Sequence, residues 1–332
     1  MAVDILDRRL LLVTGKGGTG KTSVTAALAL LASQRGRRVL ACEVEPRGDL
    51  AEFFESAAPS FRPREVQPGL FAMAMSTEEA LQEYLRLQLR LPAMARMGPL
   101  ARAFDFVATA APGVREILTV GKLAYEARER HYDLVVADAA ASGHVVGQLA
   151  APRAIDELVH VGPVHSQTGW MLDILGDPAV TGLVVVTTPE EMPVNETIGL
   201  VARLRAETNV EVSAIVVNRV LPELFSRGDE EIFERLRTPA VVEALSEVAD
   251  APSGHGAATP FGHGAGGPVD TVLDAARLAV TLRRTRAGHL ERLRESIPAE
   301  IPMLFVPYLF TRGHGLRTTA QTAEALSAEL GY

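Results

Sequence analysis

The chain has 332 residues, of which 47% are hydrophobic and 22% charged, and its formal net charge is −8. That length can bury a substantial core and allows one large α/β domain or two small ones, while the acidic balance removes any global electrostatic case for a nucleic-acid partner. The single cysteine, Cys42, excludes an internal disulfide and fits a reducing compartment, and no apolar run approaches the length of a membrane span.

The N-terminus carries Asp4, Asp7, Arg8 and Arg9 and goes straight into an apolar run at 10–13, so no signal peptide is expected and the protein reads as soluble and cytoplasmic, not integral to a membrane. Then comes Gly15-Lys16-Gly17-Gly18-Thr19-Gly20-Lys21-Thr22, which opens an alanine- and leucine-rich helical stretch ending before Gly36, a good residue for a helix C-terminus. Strand, glycine-rich loop and helix in this order form a phosphate-binding loop. Glycines let successive amides curl around an anion, and the helix directs its positive dipole end at the same place. Lys21 reaches the β- and γ-phosphates, the Thr22 hydroxyl suits Mg²⁺, and Ser23 is counted with the loop.

Further apolar runs at 39–44, 71–75, 134–137, 183–187, 213–217 and 303–306 read as strands, with helical patterns between them at 195–208 and 230–248. This alternation predicts an α/β fold: a doubly wound, mostly parallel sheet with helices on both faces, as in P-loop NTPases, in a single domain over 1–332. Such sheets bind ligands at the carboxyl ends of their strands, and Glu45, Asp138, Asn218 and Pro307 each stand just after a run. Cys42 reads as a buried small hydrophobe.

Two segments interrupt the pattern. Residues 76–130 form a helical insertion that begins with the capping-box sequence Ser76-Thr77-Glu78-Glu79 and carries Leu85, Leu87, Leu89, Leu91, Met94, Met97, Leu100, Phe104 and Phe106. It reads as a packed helical layer, with an adaptable groove for the apolar segment of a client protein as the alternative. Residues 251–268, rich in Gly, Ala, Pro and Ser, read as a mobile loop whose His255 and His263 make a poor metal site. The basic residues Arg283, Arg284, Arg286, Arg292 and Arg294 read as a solvated helix face.

The loop with its early lysine resembles the deviant Walker A ATPases. More narrowly, Glu45-Pro46-Arg47-Gly48-Asp49-Leu50 and Asp138-Ala139-Ala140-Ala141-Ser142-Gly143-His144 resemble the two switches of the arsenite-pump and tail-anchored-protein-targeting ATPases. Pro112-Gly113-Val114-Arg115-Glu116, Pro189-Glu190-Glu191 with Glu196-Thr197, and Val216-Val217-Asn218-Arg219 are similar too, so the likeness runs discontinuously from about Arg9 to Tyr308. The resemblance implies a dimeric ATPase using ATP and Mg²⁺, paired with itself or a related subunit, whose nucleotide state controls a client or partner protein. It implies that Lys16 reaches across the dimer to the partner's phosphates, where the bland reading is a solvated loop cation. By the same likeness, Asp138 holds a magnesium-bound water, Gly143 follows the γ-phosphate and His144 relays the movement. Asn218 would read adenine and Pro307 would lie against the base.

Departures from the family pattern matter as well. Glu45 stands where the family's water-orienting aspartate is, and its extra methylene implies slow hydrolysis, with Glu43 and Asp49 as nearby alternative carboxylates. A surface acid ending a strand is the bland reading of Glu45. Gly48 and Asp49 replace the family's switch I histidine and its neighbour. One cysteine supplies neither the family's intersubunit zinc pair nor its metalloid site. The second helical insertion shrinks to about 152–176, where His160, His165 and Trp170 are expected to pack and cap. A weakly hydrolysing scaffold subunit is the runner-up function, and a small-molecule transferase using the same loop the next. A positioning ATPase is disfavoured because the tail at 318–330 is neither basic nor amphipathic in the required way.

Overall fold

A computed structural model describes residues 4–89, 113–158, 163–223, 228, 232, 235–236, 238–250, 268–311 and 313–332. Its centre is β1 (Leu10–Gly15), buried at every position. A strand apolar along its whole length has no face for water, so it belongs in the middle of a sheet covered on both sides. β2 (Val39–Glu43) and β6 (Thr181–Thr187) are likewise buried at every position, and β5 (Leu134–Asp138) is buried up to its last residue, Asp138. With β3 (Arg64–Gln67), β4 (Leu70–Ala74), β7 (Val212–Val220) and β8 (Met303–Pro307) they form one eight-stranded sheet in the order β3-β4-β2-β5-β1-β6-β7-β8. All neighbours are parallel except β3, which runs antiparallel to β4 at the edge.

Side chains alternate between the two faces along each strand. Leu11, Val13, Ala41, Val136, Val184, Val186, Ala214, Val216, Leu304 and Val306 join one buried cluster with α1 (Lys21–Gln34) and α2 (Asp49–Phe54). The last helix, α10 (Leu316–Leu330), adds Ala323 and Leu326 to that cluster. Helices α4 (Val114–Glu129), α5 (Ser142–Leu158), α6 (Pro163–Gly176) and α7 (Glu191–Glu207) contact strands β1, β5 and β6 as the other layer. The sheet is therefore doubly wound, as its sequence pattern implied.

α1 ends where Gly36 permits it. Gly36 takes φ +82°, its amide donates to Ser33 O at 2.9 Å and the Arg37 amide to Ala32 O at 3.2 Å, the paired bonds of a Schellman turn. α3 (Thr77–Leu89) starts as its capping box predicts, with the Glu79 amide donating to Ser76 Oγ at 3.2 Å. Leu91, Met94, Met97, Leu100, Phe104 and Phe106 of the apolar series lie outside the described residues, as do His160, His255 and His263. So does the expected loop up to residue 267, although Pro268 already opens a helix.

The chain divides into two compact units. One comprises Met1–Val220 and Leu293–Tyr332 and holds the sheet; the other comprises Leu221–Arg292. The second contains α8 (Pro239–Asp250) and most of α9 (Pro268–Ser296), and in it Arg283 pairs with Glu223 at 3.1 Å.

Register places the site. Asp138 is opposite both Val13 and Glu43, and Gly15 is opposite Val186, so the carboxyl ends of β1, β2, β5 and β6 finish together. From β1 the chain runs outward in both directions across the sheet, and a crevice forms where that happens.

Candidate functional site

The glycine-rich loop leaves β1 at that crevice. Gly15 has φ +149°, and a Cβ there would sit 2.0 Å from the Val186 carbonyl oxygen, so only glycine keeps β1 against β6 at this point. The loop then closes on itself, with Thr19 Oγ1 donating to Lys16 O at 2.8 Å. Gly20 is the N-cap of α1 at φ +94° and supplies no side-chain hydrogen bond to the first-turn amides. Those donors and the positive end of the helix are thereby presented to whatever occupies the loop. Lys21 lies over the same concavity, its Nζ 3.5 Å from Lys16 O. Burial lowers its pKa, against the opposing pull of Asp138 and Glu45.

Asp138, the last residue of β5, accepts a 2.6 Å hydrogen bond from Thr22 Oγ1 through Oδ2, while its Oδ1 is buried with no hydrogen-bond partner. Burial pushes its carboxyl up to about 6, helped by Glu43 and Asp49 and opposed by Thr22 and Lys21. A hydroxyl and a carboxylate with one orphaned oxygen are hard donors of the kind Mg²⁺ takes, so these residues fit that ion. Among the described residues no group of three or more His, Cys, Asp or Glu is arranged to hold a metal by itself.

The three other acids separate clearly. Glu43 is buried and caps α2: its carboxylate accepts from the amides of Gly48 at 3.1 Å and Asp49 at 2.7 Å. That commitment to backbone donors takes it out of the set of alternative carboxylates. Glu45 is half-buried and pairs with Arg47 at 2.7 Å, close enough to Lys21 for both charges to act on it. Asp49 is exposed at the start of α2.

Beyond Asp138 the chain is pinned to β1. The Ala139 amide donates to Val13 O at 2.9 Å, and Thr14 Oγ1 donates to Ala140 O at 2.7 Å. α5 begins at Ser142, and Gly143 and His144 are exposed in its first turn, the His144 amide donating to Ala141 O at 2.8 Å. Lys16 forms an ion pair with Glu196 of α7, and Ser142 Oγ donates to the other oxygen of that carboxylate at 3.2 Å. By sequence, Glu196 and Arg47 are members of family-like stretches only, not site residues. The spacing of 180 residues between Lys16 and Glu196 leaves no local signal for their pairing.

Asn218, at the end of the buried part of β7, donates from Nδ2 to Thr19 O at 2.9 Å and accepts the Arg219 amide on Oδ1 at 2.9 Å. One Nδ2 hydrogen and one lone pair remain for a ligand. It borders a cavity of about 320 Å³, lined in part by Ser23, Pro307, Tyr308, His314 and Thr322, and the His314 ring lies 5.2 Å from that of Phe53. Ser23 and Asn218 join this cavity to the loop.

A second cavity of about 370 Å³ lies among α3 to α6, lined by apolar residues such as Leu81, Ile117, Leu118 and Met171 together with Tyr84 and Trp170. At its floor Lys122 is held between Glu83 at 2.6 Å and Glu126 at 2.7 Å. Nearby, His165 pairs with Asp156 at 2.8 Å and Trp170 Nε1 donates to Gln167 at 2.7 Å. Cys42 is fully buried, and burial pushes its thiol pKa up, which keeps it an inert hydrophobe.

A phosphate loop joining the central strand to α1, with a carboxylate on the neighbouring strand, defines a P-loop NTPase fold. The sequence pattern of the anion-transporting ATPases matches residues 8–171 and 163–241, and the chain belongs to that family. Over 225 residues it is 33% identical to the ATPase BagA of Mycobacterium tuberculosis, covering 64% of this chain and 66% of that protein. It is 27% identical over 242 residues to an arsenical pump-driving ATPase of Acidiphilium multivorum, covering 66% of this chain and 40% of the relative. An ATPase ASNA1 homolog of Entamoeba dispar is 26% identical over 250 residues, which is 63% of this chain and 76% of that one.

Proposed function

We propose that this chain binds ATP in the glycine-rich loop and hydrolyses it to ADP and phosphate, as a dimeric cytoplasmic switch whose nucleotide state governs a client or partner protein. The observation that carries the reading is Thr22 bonded to Asp138 beside the loop, with Asp138 Oδ1 buried and unpartnered. The relatives named as ATPases support the chemistry, and the apolar cavity among α3 to α6 supports a partner-binding layer.

In this reading the loop amides and Lys21 bind the phosphates and offset the charge that builds on the transferred phosphoryl group. Thr22 would hold Mg²⁺ and Asp138 a water bound to it, and the ion would supply further positive charge to offset that of the phosphates. Glu45 orients the attacking water. Asn218 reads the adenine edge with its remaining donor and acceptor, and Pro307 lies against the base. Lys16 serves a partner subunit's phosphates, while Gly143 and His144 carry the response away from the site.

One observation favours the second reading, a nucleotide-binding scaffold with little turnover. Glu45 Oε2 is engaged by Arg47, so part of its carboxylate is committed to a neighbour and not to an attacking water. Multiple-turnover phosphate release by the purified protein separates the two. The ATPase reading expects many turnovers without any second substrate, cut about a hundredfold or more in Glu45→Gln. Tight ATP binding without turnover would establish the scaffold instead, and release that requires an added acceptor would point to a transferase.

A further inference from the structure

Glu196 sits in the second turn of α7, outside the loop and both switches. Its carboxylate is shared between two elements. Oε1 pairs with the Lys16 ammonium in the phosphate loop, and Oε2 accepts from the hydroxyl of Ser142, the first residue of α5. The Lys16 side chain is 25% exposed and that of Glu196 38% exposed, so the pair is partly screened and separable at modest cost. We infer that Glu196 is a positioning residue for Lys16, tying the phosphate loop to the first turn of the switch helix through one side chain.

The inference rests on the nucleotide-binding reading. The triphosphate that Lys16 serves in that reading, held in the partner subunit's loop, carries more negative charge than one carboxylate, so it competes with Glu196 for the same ammonium and draws the nucleotide-bound subunits together. When Lys16 turns to phosphate, Glu196 keeps Ser142 but loses its counter-charge. Ser142 immediately precedes Gly143 and His144. The loss is therefore felt at the turn that the chain presents to solvent, without any contact between nucleotide and α7. By linkage, whatever strengthens the Glu196–Lys16 pair weakens triphosphate binding by the same factor.

The test compares wild type, Glu196→Gln, Lys16→Ala and the double variant by calorimetry with a non-hydrolysable Mg·ATP analogue and with Mg·ADP. Removing the competing charge should tighten analogue binding roughly two- to fivefold, with less effect on Mg·ADP, and the gain should vanish in the Lys16→Ala background. With no nucleotide added, hydrogen exchange should quicken in the amides of 142–146 in Glu196→Gln. Equal shifts for both nucleotides, a gain that survives loss of Lys16, or unchanged exchange would each overturn the inference. If wild type binds the analogue and Glu196→Gln matches it, the inference alone fails. If wild type binds no analogue, the nucleotide reading fails and takes the inference with it.

Discussion

Burial holds the Asp138 carboxyl up to about 6, where an ordinary aspartate sits at 3.8. The folded chain thus binds a proton more readily than the unfolded one, so protonation at this site stabilises the fold. That contribution is fully present below about pH 4 and is lost as the pH rises through about 6. The span corresponds to roughly 3 kcal/mol. Asp138→Asn, which cannot ionise, should accordingly raise stability over wild type by about 1–3 kcal/mol at about pH 8 and by roughly half as much at about pH 5. Urea unfolding at the two pH values, without magnesium or nucleotide, reads this directly; a gain that does not depend on pH would contradict it. Gly15→Ala drives a methyl to 2.0 Å from the Val186 carbonyl, and should cost roughly 2–3 kcal/mol in the same assay. At this scale the sequence showed Lys21, Thr22, Asp138 and Asn218, because each follows a strand or sits in a local motif. By sequence, Glu45 takes the water-orienting position and Glu43 stays an alternative, since both are acids around a strand end. What distinguishes them is a set of amides several residues downstream, which Glu43 reaches and Glu45 does not.

α2 depends on that cap. Gly48 precedes the helix and brings no side chain to its first turn, so Glu43 supplies the acceptor from the end of β2. Glu43→Ala should lose about 1.5–3 kcal/mol, the usual worth of hydrogen bonds to a charged group, and should speed hydrogen exchange of the amides at 48–54 more than elsewhere. Uniform exchange across the chain would show that the cap is not local. Seven strands were legible as elements because each carries an apolar run of four or more residues. The eighth, β3, was not: Arg64-Glu65-Val66-Gln67 contains a single apolar residue and pairs antiparallel on one side only. α5 hid its length behind Pro152, which normally stops a helix but here lies buried within one. Pro268, by contrast, stands at the first position of α9, where a missing amide costs nothing.

For the whole molecule, sheet order was beyond the sequence, since neighbouring strands are set by helices crossing either face and not by local pattern. The order that results puts β5 and β6 beside β1 and so assembles acid, loop and asparagine from distant parts of the chain. Among the described residues no helix is long and apolar enough to cross a membrane. If Lys16 serves a partner's phosphates, Lys16→Ala should abolish nucleotide-dependent association in sedimentation with a non-hydrolysable analogue while weakening nucleotide binding less. Unchanged dimer formation would retire that role. The most direct measurement is titration calorimetry of the intact chain with Mg·ATP, beside Lys21→Ala. Saturable binding is expected that falls by about a factor of ten or more in the variant, with a melting temperature that rises by a few degrees at saturating nucleotide. No heat and no thermal stabilisation of the wild-type chain at millimolar Mg·ATP would contradict that expectation.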